Sequence, residues 1–292
     1  MQMTGIIIKG IGGFYYVEAA DKIYECKLRG IFRKEGLTPL AGDNVKITVR
    51  VDDENTIDEI LPRTSVFIRP PVANADRLII TASVLNPRTS TLIIDKMTVI
   101  AQLKGIETAV VVTKTDLGDA SDLINIYKQS GFDTFSFSNS TGGEPEEIKD
   151  YLKGHISVLA GNSGVGKSTL LNFIDPTIEQ KTDEISKKLG RGKHTTRTSE
   201  LFKVNGGYIV DTPGFTSLDF QRDAELFSED LQDCFKDFLP HIGKCKFSSC
   251  IHLQDKGCAI VDAVEKGIIC QSRYQSYVSI FNEIKDLRKW NQ

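Results

Sequence analysis

The sequence lacks any apolar run that approaches the ~18 residues needed to cross a membrane. Its first five residues lack a basic stretch followed by an apolar core, so no secretion signal is expected there. Low-complexity tracts and internal repeats are missing too. These absences argue against membrane, secreted and repeat proteins, and we expect a cytoplasmic protein with no membrane partner.

An excess of positive charge is also missing. The chain has 36 Lys and Arg against 39 Asp and Glu, which gives a net charge of −3 and a pI near 5.9. This balance argues against a broadly basic nucleic-acid coat, although basic residues cluster near 27–34 and 187–197. A solvated face is the simpler explanation of both clusters. With 292 residues, the chain is long enough for two or three domains.

The order of residue patterns predicts three domains, at 1–68, 69–222 and 223–292. The first contains five short β-branched or aromatic runs separated by glycine-rich turns, which predicts a small β-barrel, either an OB-fold or an SH3-like barrel. The second alternates strand-like runs with helical stretches, which predicts a doubly wound α/β domain. The third is rich in cysteine and ends in a helix whose apolar residues recur every three or four positions, with Arg273 beside them on a solvated rim.

A glycine-rich phosphate loop is the strongest motif. A strand-like run at 156–160 leads into it, and a helical stretch at 169–173 follows. Glycines let backbone N–H groups surround a phosphate at a helix N-terminus. Lys167 would reach the β- and γ-phosphates and act in catalysis, and Ser168 would coordinate Mg²⁺. The predicted nucleotide-binding residues of this loop are Gly161, Asn162, Ser163, Gly164, Val165, Gly166, Lys167, Ser168 and Thr169.

A guanine-specifying element of the [NT]KxD type follows the strand-like run at 108–112, and consists of Thr113, Lys114, Thr115 and Asp116. The carboxylate of Asp116 can accept both the N1 and the N2 protons of guanine, which adenine cannot match. Ser138 and Asn139 are weaker candidates for a segment that supports the base. Most GTPases have the phosphate loop first and the base-reading element last. The reversed order here predicts a circularly permuted P-loop GTPase domain.

The sequence D-T-P-G at 211–214 follows another strand-like run. Asp211 would hold Mg²⁺ through a water, and the Gly214 amide would sense the γ-phosphate. The basic loop at 187–197 lies where a first switch belongs. In it Thr196, with Thr195 as the alternative, is expected to bind Mg²⁺ and the γ-phosphate and to take part in catalysis.

The glutamine that orients the attacking water in Ras-type enzymes is missing, because Phe215 follows Gly214. Phenylalanine has no hydrogen-bonding group, so intrinsic hydrolysis is expected to be slow. His194 is the candidate substitute, either orienting the water or accepting its proton. A structural role for His194, and a group supplied by a partner, are the alternatives.

Four residues within fourteen positions form a Cys₃His set: Cys245, Cys250, His252 and Cys258. Thiolates with one imidazole suit tetrahedral Zn²⁺, and four protein ligands indicate a structural ion with no open position. A disulfide and inert thiols are the alternatives, and a reduced compartment disfavours the disulfide. The remaining cysteines, Cys26, Cys234 and Cys270, are expected to pack as small apolar residues.

Together these residues resemble one family, the ribosome small subunit-dependent GTPases of bacteria (the RsgA, YjeQ or YloQ group). The matching stretches lie in the cysteine cluster and at 26–30, 42–45, 69–76, 113–116, 161–168, 188–196 and 211–215, and so span nearly the whole chain. Thr113 and Asn139 depart from the family's commoner Asn and Ala, and Lys193 stands where Arg is frequent.

The resemblance implies an N-terminal OB-fold, a circularly permuted GTPase domain and a C-terminal helical zinc domain with the four residues above as ligands. It implies GTP or GDP, Mg²⁺ and one Zn²⁺ as cofactors. It also implies binding to the 30S subunit and 16S rRNA late in assembly, with hydrolysis stimulated by that particle. We expect a monomer.

The leading hypothesis is a GTPase that hydrolyses GTP to GDP and phosphate as a checkpoint in small-subunit assembly, and that uses hydrolysis to time its release. One alternative is a zinc-containing RNA-binding module for which GTP is a structural or gating ligand. The intact Lys167, Ser168 and Asp211 argue against it. Another is an ATP-dependent kinase or ATPase with a chance TKTD, which a comparison of GDP with ADP binding would identify.

Overall fold

The computed structural model describes residues 1–30, 32, 38–51, 53–68, 70–138, 140, 142–143, 145–177, 199–210, 226–253 and 256–286. Strands and helices are numbered in chain order within these ranges. None of the helices found there has the length and apolar character needed to cross a membrane.

The N-terminal strands close into a barrel made of β1 (Gln2–Ile11), β2 (Phe14–Ala19), β3 (Lys22–Leu28), β4 (Asn44–Thr48) and β5 (Asn55–Ile60). Their order is β1-β2-β3-β5-β4, with β3 and β5 parallel and the other pairs antiparallel. Gly12 and Gly13 adopt φ of 62° and 89°, which a two-residue hairpin turn between β1 and β2 requires. The barrel is OB-like, so the prediction of an OB-fold is confirmed over the SH3-like alternative.

A seven-stranded sheet has the order β11-β10-β9-β8-β12-β14-β13. Its strands are β8 (Arg77–Ser83), β9 (Glu107–Thr113), β10 (Asp133–Ser138), β11 (Gly142–Gly143), β12 (Ile156–Ala160), β13 (Leu201–Val204) and β14 (Gly207–Val210), and the two-residue strands β6 (Val66–Phe67) and β7 (Val72–Ala73) pair separately. β9 and β10 are parallel, as are β12 and β14. The intervening helices are α1 (Thr91–Leu103), α2 (Ser121–Gln129), α3 (Pro145–Leu152) and α4 (Lys167–Ile174). This confirms the predicted α/β class.

The chain divides into two compact units, one comprising Met1–Arg77, Lys149–Leu159 and Leu171–Pro213, the other Leu78–Ile148, Ala160–Leu170 and Gly214–Gln292. In the first unit, Glu18 of β2 accepts hydrogen bonds from Lys203 of β13 and from Tyr208 of β14, the latter at 3.0 Å. Barrel strands therefore contact the β13–β14 hairpin. The domain limits at 1–68, 69–222 and 223–292 stay a prediction.

The C-terminal residues of the second unit form short helices around an aromatic core. The 3₁₀ turns Leu231–Cys234 and Leu239–His241 precede α5 (Ala259–Glu265) and α6 (Gln271–Ile284). Phe235, Phe238 and Tyr277 are fully buried and pack in one cluster with Val99 and Ile100 of α1. The predicted amphipathic C-terminal helix is therefore present.

Arg273 corrects one expectation about that helix, because it is fully buried instead of lying on a solvated rim. Its guanidinium donates to Asp95 Oδ1 at 2.6 Å and to Asp237 Oδ1 at 2.9 Å. Burial by itself lowers the pKa of Arg273, but the two carboxylates outweigh burial and keep this pKa above its usual range. Sequence periodicity assigns a charged residue beside an apolar stripe to solvent, and only the partners from distant segments make burial possible.

Candidate nucleotide site and metal cluster

The phosphate loop joins β12 to α4, as the sequence predicted. Gly161, Gly164 and Gly166 adopt φ of 143°, 78° and 99°, which residues with a side chain rarely reach. At Gly161 a Cβ would approach Thr81 O to 2.4 Å, so the close contact with β8 also requires glycine. The Lys167 ammonium donates to Gly161 O at 2.6 Å and to Asn162 O at 2.8 Å. The loop therefore curls around the lysine at the N-terminus of α4.

The base-reading element is hydrogen-bonded directly to this loop. Thr113, the last residue of β9, donates from Oγ1 to Val165 O at 2.6 Å and is buried. Lys114 has φ of 58°, and its Nζ donates to Gly164 O at 2.8 Å and to Asn86 O. Segments about fifty residues apart in the chain therefore lie side by side. The reversed order of the motifs is compatible with one nucleotide site in the second unit.

Ser138 lies beside Asp116 because β10 runs parallel to β9, with Phe137 opposite Thr113. Ser138 Oγ donates to Asp116 Oδ1 at 3.0 Å and lies 2.8 Å from Ser140 Oγ. A donor of this kind orients the carboxylate and leaves its second oxygen available. Ser138 therefore contacts Asp116, as a residue of the predicted base-supporting segment should.

Several predicted site residues fall outside the described ranges. They are Asn139, His194, Thr195, Thr196, Asp211 and Gly214, together with Phe215 and the rest of the loop at 187–197. β14 ends at Val210, immediately before Asp211 in the chain. Ser168 and Thr169 are described, and both are exposed in the first turn of α4.

The four predicted metal ligands come together in the C-terminal module, where their donor atoms all lie within 4.8 Å of one another. Cys245 Sγ is 3.6 Å from His252 Nδ1 and 3.9 Å from Cys258 Sγ, and His252 Nδ1 is 3.4 Å from Cys258 Sγ. Tetrahedral bonds of usual zinc lengths would separate two sulfurs by about 3.8 Å and sulfur from nitrogen by about 3.6 Å. The three separations among Cys245, His252 and Cys258 are therefore compatible with a tetrahedral Zn²⁺ site.

The chemistry of the cluster also favours a cation. Burial raises the pKa of the Cys258 thiol above its usual value, and hydrogen bonds from Val261, Ile260 and Cys250 only partly oppose this shift. Several thiolates close together in a partly buried cluster repel one another unless a bound cation compensates their charge. The Cys245 sulfur additionally accepts the Ala259 backbone N–H at 3.3 Å. The donor set is compatible with zinc, as the sequence analysis proposed.

Two of the three remaining cysteines pack as expected. Cys26 and Cys234 are buried, and burial raises their pKa values to about 11 and about 12. Cys270 differs in burial, because it is only half-buried, and its Sγ donates to Gln129 Oε1 at 3.2 Å. Cys270 is therefore less buried than the expected apolar packing implies.

Comparison with known proteins identifies the family. The family model described as RsgA GTPase matches residues 60–221, and the one described as RsgA N-terminal domain matches residues 4–57. The chain belongs to the RsgA GTPase family. The family prediction and the GTPase activity inferred with it are confirmed.

Similar proteins match almost the full length of the chain. Two relatives are named small ribosomal subunit biogenesis GTPase RsgA. The protein from Caldanaerobacter subterraneus subsp. tengcongensis is 42% identical, and the match covers 99% of this chain and 98% of that protein. The protein from Alkaliphilus metalliredigens is 43% identical, and the match covers 98% of this chain and 99% of that protein. The crystal structure of YjeQ from Thermotoga maritima is 36% identical with a TM-score of 0.82, covering 99% of this chain and 100% of that one. YloQ, described as a circularly permuted GTPase, is 36% identical with a TM-score of 0.81, covering 99% of this chain and 96% of that one. Membership in the RsgA family implies GTP or GDP together with Mg²⁺ as cofactors.

Three contacts between distant segments, two of them at these sites, were not found from the sequence. One is the contact of Lys114 with Asn86, which lies in the loop between β8 and α1. Another is Gln232, whose Oε1 lies 2.8 Å from His252 Nε2. The third is the burial of Asp95 and Asp237 against Arg273. Asn86, Gln232, Asp95 and Asp237 belong to no local motif, so no spacing could have revealed these contacts.

Proposed function

We propose that this chain is a GTPase that acts in biogenesis of the small ribosomal subunit. In this proposal it binds the 30S subunit and 16S rRNA late in assembly as a cytoplasmic monomer, and GTP hydrolysis, stimulated by the particle, times its release. The relatives named small ribosomal subunit biogenesis GTPase support the subunit as partner. The observation that carries the enzymatic part is the hydrogen bond from Thr113 to Val165, which joins the base-reading element to the phosphate loop.

The phosphate end of the nucleotide would be held by the loop at 161–169. Its backbone amides lie at the N-terminus of α4, where the helix dipole favours an anion. Lys167 would turn from its present carbonyl acceptors toward the phosphates, and Ser168 and Asp211 would hold Mg²⁺, Asp211 through a water. When bound, Mg²⁺ neutralises charge that develops on the phosphate oxygens. The Gly214 amide would sense the γ-phosphate.

The base would be read by Asp116, which would accept the N1 and N2 protons of guanine. Ser138 supports this role, since its hydroxyl donates to one carboxylate oxygen of Asp116. Lys114 would stabilise the base-reading element next to the phosphate loop, because its ammonium donates a hydrogen bond to Gly164 O. Thr115 and Asn139 would complete the base contacts.

Water attack on the γ-phosphate would depend on the loop at 187–197. Because Phe215 cannot orient water, His194 would do so or would accept its proton, and Thr196 would contact Mg²⁺ and the γ-phosphate. A GTPase that is incomplete alone would hydrolyse only where the subunit orders this loop or supplies a group.

Stimulation by the small subunit can be measured directly. GTP turnover measured with purified 30S subunits is expected to exceed turnover without them, because the particle would complete the catalytic site. His194→Ala is expected to lower the stimulated rate about 100-fold. His155→Ala is the matched control, since its ring contacts only the exposed Asp76 among its described partners. Equal rates with and without subunits would contradict the proposal.

We further propose that Cys245, Cys250, His252 and Cys258 hold one structural Zn²⁺. Removing a ligand should release the metal and unfold the module, because metal-binding energy in such sites is folding energy. Cys250→Ser is therefore expected to lose zinc and to lower the thermal midpoint. The control Cys270→Ser, outside the cluster, should retain one zinc per chain. Metal analysis of both purified variants checks this, and a metal-free wild type would contradict it.

A further inference from the structure

The two ring nitrogens of His252 have different surroundings. Nδ1 faces the sulfurs, 3.4 Å from Cys258 Sγ and 3.6 Å from Cys245 Sγ. Nε2 points the other way and lies 2.8 Å from Gln232 Oε1. Gln232 is half-buried in the 3₁₀ turn Leu231–Cys234.

The backbone of His252 is held in a conformation that a histidine rarely adopts. Its φ is 62°, in the left-handed region. Tyr274 donates from its hydroxyl to His252 O at 3.0 Å, and Tyr277 donates to Ile251 O at 3.0 Å. His252 is 2% exposed, and its ring lies edge-on to Phe238 with centroids 6.5 Å apart. Neighbours from α6 and from the preceding turns thus restrict the ring, so it cannot rotate freely to exchange its nitrogens.

We propose that Gln232 is a positioning residue of the metal site, which holds the Nε2–H tautomer of His252 so that Nδ1 binds the metal. A neutral imidazole carries one proton, and only the nitrogen without it can bind a metal. The carbonyl oxygen of Gln232 can accept that proton's hydrogen bond at Nε2, which leaves the Nδ1 lone pair directed at the thiolates. This inference rests on the zinc site proposed above.

The contact between Gln232 and His252 also connects the metal cluster to the segment that follows the GTPase motifs in the sequence. Gln232 is the second residue of the 3₁₀ turn that follows the D-T-P-G motif by about twenty positions. An interaction that strengthens metal binding is itself strengthened, by the same factor, when the metal is bound. Zinc should therefore protect this turn against opening as well as the loop that carries the ligands.

The ring nitrogens of His252 can be observed directly. A long-range proton–nitrogen NMR spectrum of the zinc-loaded full chain should show a protonated Nε2 and a metal-bound Nδ1, with the signals assigned by their loss in His252→Cys. Zinc bound at Nε2 would overturn the inference and leave the zinc site itself intact. Absence of zinc from the wild type would instead overturn the proposed metal site.

Variants of Gln232 test its contribution. Gln232→Leu is expected to weaken zinc binding about 10- to 100-fold in competition with a chromophoric chelator, because the tautomer loses its acceptor. Gln232→Glu keeps an acceptor and should retain wild-type affinity or exceed it. Gln275→Leu, the same change at an exposed position of α6, is the matched control. Hydrogen exchange of residues 231–234 should slow on zinc loading in the wild type and less so in Gln232→Leu. Equal zinc affinities of the two leucine variants would overturn the positioning role.

Discussion

Asp116→Asn is expected to exchange the nucleotide preference of this GTPase from guanine to xanthine. The wild-type carboxylate would accept the N1 and N2 protons of guanine, whereas an amide N–H can donate to the xanthine C2 carbonyl. A site built around hydrogen bonds rejects a ligand that leaves them unmade by about 10⁴-fold or more. Competition between fluorescent GDP and unlabelled GDP or XDP measures both affinities. We expect GDP binding to fall by orders of magnitude while XDP binding improves.

The hydrogen bond from Ser138 allows Asp116→Asn to change base recognition without disturbing the local structure. Asparagine can still accept the Ser138 hydroxyl through its carbonyl oxygen, so the element should keep its shape. Asp119→Asn is the matched control, because Asp119 is exposed and its carboxylate accepts hydrogen bonds only from Ser121 in the described structure. Unchanged guanine preference in Asp116→Asn would remove the assigned role of Asp116.

Arg273→Met is expected to destabilise the protein by about 3–5 kcal/mol, the usual result of removing one partner from a buried ion pair. The variant would leave the carboxylates of Asp95 and Asp237 buried without their cation. These residues join α1, the segment before α5, and α6 inside the second unit. Urea unfolding followed by circular dichroism measures the loss. Arg50→Met, which breaks only the exposed pair with Asp53, should leave the free energy of unfolding almost unchanged.

The loss in Arg273→Met should depend on pH in a defined direction. Burial raises the pKa of Asp95 in the wild type, and attraction by Arg273 opposes this shift. Without Arg273 the pKa should rise further. A carboxyl group with a raised folded-state pKa favours folding below its unfolded-state pKa, and that contribution is lost as pH rises through the folded-state value. The destabilisation relative to wild type should therefore be smaller at pH 5 than at pH 8. A loss of the same size at both values would mean that Asp95 does not titrate as proposed.

Sequence patterns predicted the structure correctly where the geometry depends on residues that are close together in the chain. Glycines at 161, 164 and 166 with a following lysine predict a loop around a phosphate because positive φ angles and free amides are properties of that segment alone. The apolar run at 108–112 similarly predicted β9, which extends from Glu107 to Thr113. The spacing of Cys245, Cys250, His252 and Cys258 predicted a cluster because the ligands are close in the chain.

For contacts between distant segments, the sequence-based predictions were wrong or were not made. Arg273 was assigned to a solvated rim, and its burial depends on Asp95 and Asp237, 178 and 36 residues away. The support of Lys114 by Asn86, and of His252 by Gln232, rests on single residues with no motif of their own. Local propensity carries no information about such partners.

The amino-acid sequence by itself determined the family, the reversed order of the GTPase motifs and the chemical identity of both sites, because these depend on residue types at short spacing. Only the tertiary structure decided that the base-reading element is hydrogen-bonded to the phosphate loop, which nitrogen of His252 faces the thiolates, and that a buried arginine ties α6 to α1. The reason is physical: hydrogen-bond geometry and burial are set when separate segments pack against one another, and the order of residues along the chain does not specify which of them meet.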